Sequence, residues 1–464
     1  MEKTHSLPAE RPKFPAAFRL FEPPPPRPAI ADPSVIRATY RSWRWRILLS
    51  TIIGYATFYF VRKNLGIALP IMEKDLGISK TELGLFLTLH GVLYGISKFA
   101  NGFFGDLCNA RAFMVVGLVA SALMNVCFGF SSAVMTLGLF WMLNGWFQGM
   151  GFPPCARLLT HWFPPRELPV KMSIWNTSHS IGAGLVVVLC GYLAPVNWRL
   201  CFFVPAALAI ICSLFLWLTL PDTPASVGLP EVEGTESGSA KAVSDPDFKA
   251  FLVANVFKNQ YIWLIALANF FVYTVRYAVL DWGPTLLTQA KHVSIVNAGW
   301  MVGAFELAGL TGMLSAGWLT SRVFGGRPAR ACVFFMALAG ISILLFWKFA
   351  GTSLPLNTSL LCCAGFFIYG PQSLVGIAAA NLATKRAAAS AVGFTGLFGY
   401  ASTVLSGWGL GALVQRHGWD AGFIGLLGIA AIGTLLFAMA WPARAHGYRE
   451  DPEEKPQDPP SNIR

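Results

Sequence analysis

Residues 55–70 read YATFYFVRKNLGIALP. The stretch is apolar and aromatic, yet Arg62 and Lys63 stand inside it. In a soluble helix such a pair marks a solvated edge. In a membrane span it sets charge at depth, where an idle cation is expensive and an ionisable residue is a functional candidate. Composition decides between the two. Of 464 residues, 55% are hydrophobic and only 12% are charged, against about 25% in a soluble chain. The 36 Phe and 45 Gly point the same way.

Apolar segments long enough to cross a bilayer recur along the whole chain. The pattern predicts spans at 47–69, 82–104, 112–131, 134–158, 171–193 and 199–220, then at 260–288, 296–320, 330–349, 355–380, 390–414 and 420–441. The chain thus reads as an all-α polytopic membrane protein, with twelve transmembrane helices in two six-helix halves. Residues 1–36 read as a disordered N-terminal tail, because their prolines deny it helical hydrogen bonds. This tail lacks the apolar core of a cleavable signal peptide. The N-terminal half is 37–220, a cytoplasmic linker is 221–259, the C-terminal half is 260–441 and a polar tail is 442–464.

Basic residues set the expected orientation. Arg37, Arg41, Arg44 and Arg46 precede the first span, and Arg157, Arg166 and Lys171 lie at the junction of the fourth and fifth. Arg322, Arg327 and Arg330 follow the eighth, Lys385 and Arg386 precede the eleventh, and Arg444 and Arg449 follow the twelfth. The opposite loops are poorer, with Lys74, Lys80 and Lys291 as exceptions. Both termini and the linker are therefore expected in the cytoplasm, by the excess of Lys and Arg in cytoplasmic loops. The net charge of +12 is not gathered into a nucleic-acid motif. Nine Cys are scattered without CxxC or Cys/His spacing, so no metal or other cofactor is expected. HExxH, GxxxxGK[ST] and GxSxG are absent. The linker is too short for an ATPase domain, so the chain is read as no enzyme, driven by the gradients of its solutes.

The polar residues inside the spans fall on helical faces. Tyr55, Tyr59 and Arg62 are spaced i, i+4 and i+7, and Asn269, Tyr273 and Arg276 repeat that spacing in the seventh span. YFVRKN in the first half echoes YTVRYA in the second, as expected of a transporter built from two related halves. His90, Tyr94 and Lys98 share a face of span two, and Asn176 and His179 lie three apart in span five. Cations outnumber acids in these sets. A cation carrier would be expected to line its cavity with carboxylates, whereas Glu306 and Asp281 are the clearest acids here. Excess Arg, Lys and His calls for an anion, and the arginine fork fits phosphate oxygens with two parallel bonds. Lys63 is read as interfacial or structural, paired with an acid such as Asp281, and Glu306 as structural or gating. Gly102, Asp106 and Arg111 mark the junction of spans two and three. Gly145, Gly149 and Gly151 before Pro153 and Pro154 predict a bend in span four.

With these motifs in order, the chain resembles the organophosphate:phosphate antiporter family of the major facilitator superfamily. GYATFYFVRKN, YGISKF, WNTSHSIGAG, FVYTVRYAVLDWGPTLL, FELAG, IYGPQ and GFTGLFGY carry the resemblance. It is similar above all to the bacterial hexose-phosphate sensor–transporter branch. The resemblance implies the major facilitator fold and a bacterial inner-membrane location. It implies exchange of a sugar phosphate, glucose-6-phosphate first, for inorganic phosphate by alternating access. It also implies two alternatives: a receptor that signals hexose phosphate to a membrane histidine kinase, and a glycerol-3-phosphate exchanger. Arg62 and Arg276 become the phosphate pair, Lys98 and His179 its helpers. Tyr55, Tyr59, Tyr94, Tyr273, Tyr369 and Tyr400 line the cavity, with Asn176 and Gln372 toward the sugar. Lys63 and Asp281 match a salt bridge, Asp106 and Arg111 match the loop between spans two and three, and these four with Glu306 are the expected gating or salt-bridge groups. Two departures stand out. Ser321 replaces an aspartate common in relatives, and span eleven lacks the Asp–Lys pair of the typical hexose-phosphate transporter. The sensor–transporter branch lacks that pair too.

Overall fold

The structure, a computed structural model, describes residues 15–164, 166–232, 248–349, 351, 353–383 and 387–443. These residues form helices and no strand. The first half runs through α1 (Pro33–Phe60), α2 (Leu65–Leu76), α3 (Lys80–Leu107), α4 (Ala110–Phe130), α5 (Val134–Gln148), α6 (Phe152–Trp162), α7 (Leu168–Asn176), α8 (Ser178–Leu193) and α9 (Leu200–Thr219). The second runs through α10 (Gln260–Ala290), α11 (Ile295–Arg322), α12 (Pro328–Lys348), α13 (Leu354–Leu382), α14 (Ala388–Ala401) and α15 (Leu410–Met439). Among the described residues, nine helical runs are long and apolar enough to cross a membrane. The last, Ser390–Met439, turns back at Gly418, whose φ of 76° ends one helix and starts another.

Local chemistry sets the ends. Asp32 accepts from the Ser34 amide at 2.7 Å and Pro33 opens α1, where no amide donor is needed. Ser79 and Glu82 form a reciprocal capping box at the start of α3. Gly77, at φ 66°, closes α2.

Several expected boundaries move. The first span is not one helix, because α1 stops at Phe60 and α2 starts at Leu65. The break survives at membrane depth because its backbone is paired inside the protein. The Val61 carbonyl accepts from Asn125 at 2.9 Å and Asn144 at 2.8 Å, while Asn64 donates to Asn125 and to the Cys201 carbonyl, each at 2.8 Å. The bend expected in span four falls at Gly149–Gly151, between α5 and α6.

The tail expected to be disordered is ordered from residue 15 onward. Phe21 meets Phe113 edge-on with ring centres 5.9 Å apart, and the Arg27 and Ile30 amides donate to the Ala225 and Gly228 carbonyls. Ala16–Phe21 form one short 3-10 helix, and the prolines that follow it keep the next residues extended, as a strap whose remaining amides find partners. Residues 221–232 likewise pack on the first half, with Asp222 and Leu229 buried, so the linker begins later than expected. Residues 1–14, 233–247 and 444–464 lie outside the described residues, as do Lys385 and Arg386.

The halves touch through α2 with α10, α3 with Val404–Gly409 and α15, and α8 with α11. Gly84 lies against the Gly407 backbone, where any side chain would force the helices apart. Thr88 donates to the Thr403 carbonyl at 2.8 Å, and Gln289 to Glu73 at 2.7 Å. All these contacts lie from mid-helix toward the end that carries the 76–80, 193–200 and 290–295 turns. At the opposite end Gly102, Gly393 and Gly396 face open space.

Candidate functional site

Arg62 occupies the break between α1 and α2 and is 9% exposed. Its guanidinium carbon lies 3.9 Å from the centre of the Tyr94 ring and 5.1 Å from that of Tyr59. Among the described residues no carboxylate comes within ion-pair distance of it. Rings attract a cation by about 0.5–2 kcal/mol without occupying its in-plane N–H donors. Arg62 is thus steadied by aromatic rings rather than by an acid.

Arg276 sits inside the unbroken helix α10 and is 4% exposed. It donates to the Tyr369 hydroxyl at 2.9 Å and lies 3.7 Å from the Glu306 carboxylate on α11. That separation is beyond a good hydrogen bond. Among the described residues, neither Glu306 oxygen nor Arg276 Nε has a hydrogen-bond partner, although all are buried.

Rings join the two arginines. Tyr59 lies 6.0 Å from His179, and His179 stacks 6.4 Å from Tyr369, which lies under Arg276 at 4.6 Å. His179 Nδ1 is 3.0 Å from the Ser180 hydroxyl. On the other flank Lys98 donates to the Tyr400 hydroxyl at 2.8 Å and rests 4.3 Å over Phe152. Tyr400 is 4.9 Å from Tyr94 and 6.3 Å from Tyr273. Arg62, Lys98, His179 and Arg276 therefore share one largely buried group in which, among the described residues, Glu306 is the one carboxylate. Such a site favours an anion with several oxygens.

The remaining predicted residues divide. Tyr55 packs behind Tyr59, 4.7 Å from Trp175. Gln372 lies one turn beyond Tyr369 with a buried, unpaired Oε1. Asn176 is exposed, and nothing ties it to the group. His90 does not share the cavity face expected of it. It stacks on Trp141 at 5.1 Å, with Nδ1 at 3.1 Å from that residue's carbonyl. Lys63 pairs with Asp281 at 2.7 Å across the halves, the two residues 8% and 14% exposed.

Asp106 and Arg111 were expected as gating groups at the junction of α3 and α4. The Asp106 side chain lies outside the described residues, and Arg111 lies 4.6 Å over Trp217 with its Nε unpaired. The ion pair there is Arg157 with Asp222 at 3.4 Å. Asp222 also accepts the Ala110 amide at 2.9 Å, at the positive start of α4. Ser321 turns back onto its own helix and donates to the Trp318 carbonyl at 2.9 Å.

Tyr277 was missed at the sequence level. It lies under Lys63 at 4.7 Å and beside Tyr273 at 5.4 Å. The i, i+4 step from Tyr273 was the available signal.

Residues 51–407 match the family model described as Major Facilitator Superfamily. A "Probable hexose phosphate transport protein" of Chlamydia pneumoniae is 40% identical over 93% of this chain and 98% of its own length. A "Glycerol-3-phosphate transporter" of Bacillus subtilis is 40% identical, covering 91% and 98%. A "Membrane sensor protein UhpC" of Escherichia coli is 36% identical, covering 90% and 96%.

Proposed function

The chain belongs to the Major Facilitator Superfamily, in its organophosphate:phosphate antiporter family, and from that premise we propose that it exchanges a sugar phosphate for inorganic phosphate. It is a multi-pass membrane transporter, not an enzyme. One observation carries the proposal. Two buried arginines come from opposite halves, are linked by aromatic rings, and among the described residues share only one loosely engaged carboxylate.

The phosphate takes both forks at once, drawing the halves together around it. Lys98 and His179 add charge to the remaining oxygens, and Lys98 shifts from the Tyr400 hydroxyl to do so. Residues 37–220 and 260–441 rock as two units about this midplane site. An emptied cavity keeps its mutually repelling cations, so it returns only with another phosphoanion. Glucose-6-phosphate is the first candidate, supported by the hexose-phosphate relative, with glycerol-3-phosphate second. Both termini face the cytoplasm of a bacterial inner membrane, by the distribution of Arg and Lys.

A receptor that reports hexose phosphate to a membrane histidine kinase is the second reading. It is favoured by the sensor relative and by the eleventh span without its Asp–Lys pair. Counterflow in proteoliposomes preloaded with phosphate separates the readings. Glucose-6-phosphate uptake that needs internal phosphate is expected. Uptake of free glucose, or uptake into phosphate-free vesicles, overturns exchange. Binding without any uptake favours the receptor.

A further inference from the structure

A second basic pocket lies outside the cavity, between the start of α1 and the α6–α7 junction. It encloses about 390 Å³, within the range of about 300–1,000 Å³ typical of small-ligand sites. Arg37, Arg41, Arg44 and Lys171 line it, against one acid, Glu167. Arg44 is committed to the protein, donating to the Trp162 carbonyl at 2.8 Å. Arg37 and Arg41 are exposed and make no hydrogen bond or ion pair with the described residues. Lys171 rests 5.6 Å over the Phe163 ring and 5.8 Å over Trp45, again without an acid.

The pocket does not end at the charges. Arg37, Arg41, Trp45, Leu49 and Ile53 follow one another at i+4 on α1, a single helical stripe. Trp45, Leu49 and Ile53 are 58%, 51% and 46% exposed. On α7, which packs beside α1, Lys171 is followed by the exposed Ile174. Both helices thus pass from cation to bare aliphatic surface, through an exposed tryptophan on α1, at the level where the apolar spans begin. Tryptophan is the residue of the membrane–water boundary. A soluble phosphate has no use for the aliphatic part of the stripe, whereas a phospholipid matches all of it.

We infer that this pocket holds the phosphate headgroup of an anionic glycerophospholipid, with an acyl chain along Leu49 and Ile53. Arg37, Arg41 and Lys171 take the phosphate, Trp45 lies at the glycerol level, and the cavity arginines are not involved. The site stands whichever organophosphate the protein carries.

The test is native mass spectrometry of the full chain in detergent, titrated with phosphatidylglycerol and with phosphatidylcholine. Preferential retention of phosphatidylglycerol is expected. The double variant R37Q/R41Q should lower that preference roughly thirtyfold, given about 1 kcal/mol for each cation near anionic lipid, while Arg322→Gln on the other half should not. K171Q supplies a second arm if the double variant does not fold. Equal retention of the two lipids by the natural chain overturns the site. So does a preference untouched by R37Q/R41Q, or by K171Q where that arm is used. Displacement of bound phosphatidylglycerol by millimolar inorganic phosphate in the R62K background assigns the pocket to a soluble anion and equally overturns it.

Discussion

Arg62 and Arg276 occupy corresponding places in the two halves, yet the protein holds them differently. Arg276 lies within a continuous helix, bonded to Tyr369 and facing Glu306. Arg62 lies in a helix break, held by the faces of Tyr59 and Tyr94 without an acid. Arg276 carries its own counter-charge, which a bound anion would have to displace. Arg62 has no acid within ion-pair distance among the described residues. Under the proposed phosphate exchange, this contrast would divide the labour: Arg62 would capture the phosphate, and Arg276 would couple capture to movement by exchanging Glu306 for it.

The largest test of that contrast is Arg62→Lys. It removes the fork where nothing else supplies it, and two charge-assisted bonds of about 1.5–3 kcal/mol each are at stake. A loss of at least ~100-fold in kcat/KM for counterflow is expected. Near-normal exchange removes Arg62 from the clamp. Arg276→Lys should also fail, but with a larger share of the loss in kcat than in KM, since its task is coupling.

Next is the inter-half pair. Asp281→Asn leaves Lys63 buried without its acid, at a cost of about 3–5 kcal/mol. A clearly lowered melting temperature is expected. The double variant K63M/D281L should recover most of the loss, because both charges go together. A double variant no better than Asp281→Asn breaks this reading.

Glu306→Gln is smaller and sharper. It frees Arg276 from its competitor, so phosphate should bind several-fold tighter while turnover slows. Weaker phosphate binding in calorimetry contradicts the proposed exchange of partners. Asn144→Ala tests the geometry that holds Arg62. It leaves the Val61 carbonyl with Asn125 as its remaining side-chain donor, and a loss of about 1 kcal/mol is expected, read as a small drop in melting temperature. The smallest effect should come from Tyr277→Phe. The ring under Lys63 remains, so transport should change less than about threefold, whereas Tyr277→Ala gives up about 0.5–2 kcal/mol of cation–ring attraction.

Much of this was legible in the chain. Apolar runs of span length and the polar faces around Arg62 and Arg276 follow from periodicity and charge alone, whereas Asp281 as the partner of Lys63 came from the family resemblance. Tyr277 was legible too, at the same i+4 step as its neighbours, but its ring serves Lys63 from the other half. His90 shows the converse. It has the right spacing from Tyr94 and Lys98, and it still turns into the core to stack on Trp141.

The sequence by itself determined the membrane class, the helical periodicity and the excess of cation over acid, because these depend on residue type and spacing. The tertiary structure alone decided that Arg62 stands in a helix break. Asn125, Asn144 and Asn64 come from three segments, and only packing brings their amides to the backbone they satisfy. It also decided that Asp222, far along the chain, caps α4 and pairs with Arg157. Local spacing sets which face a side chain occupies; the neighbouring helices set what that face meets.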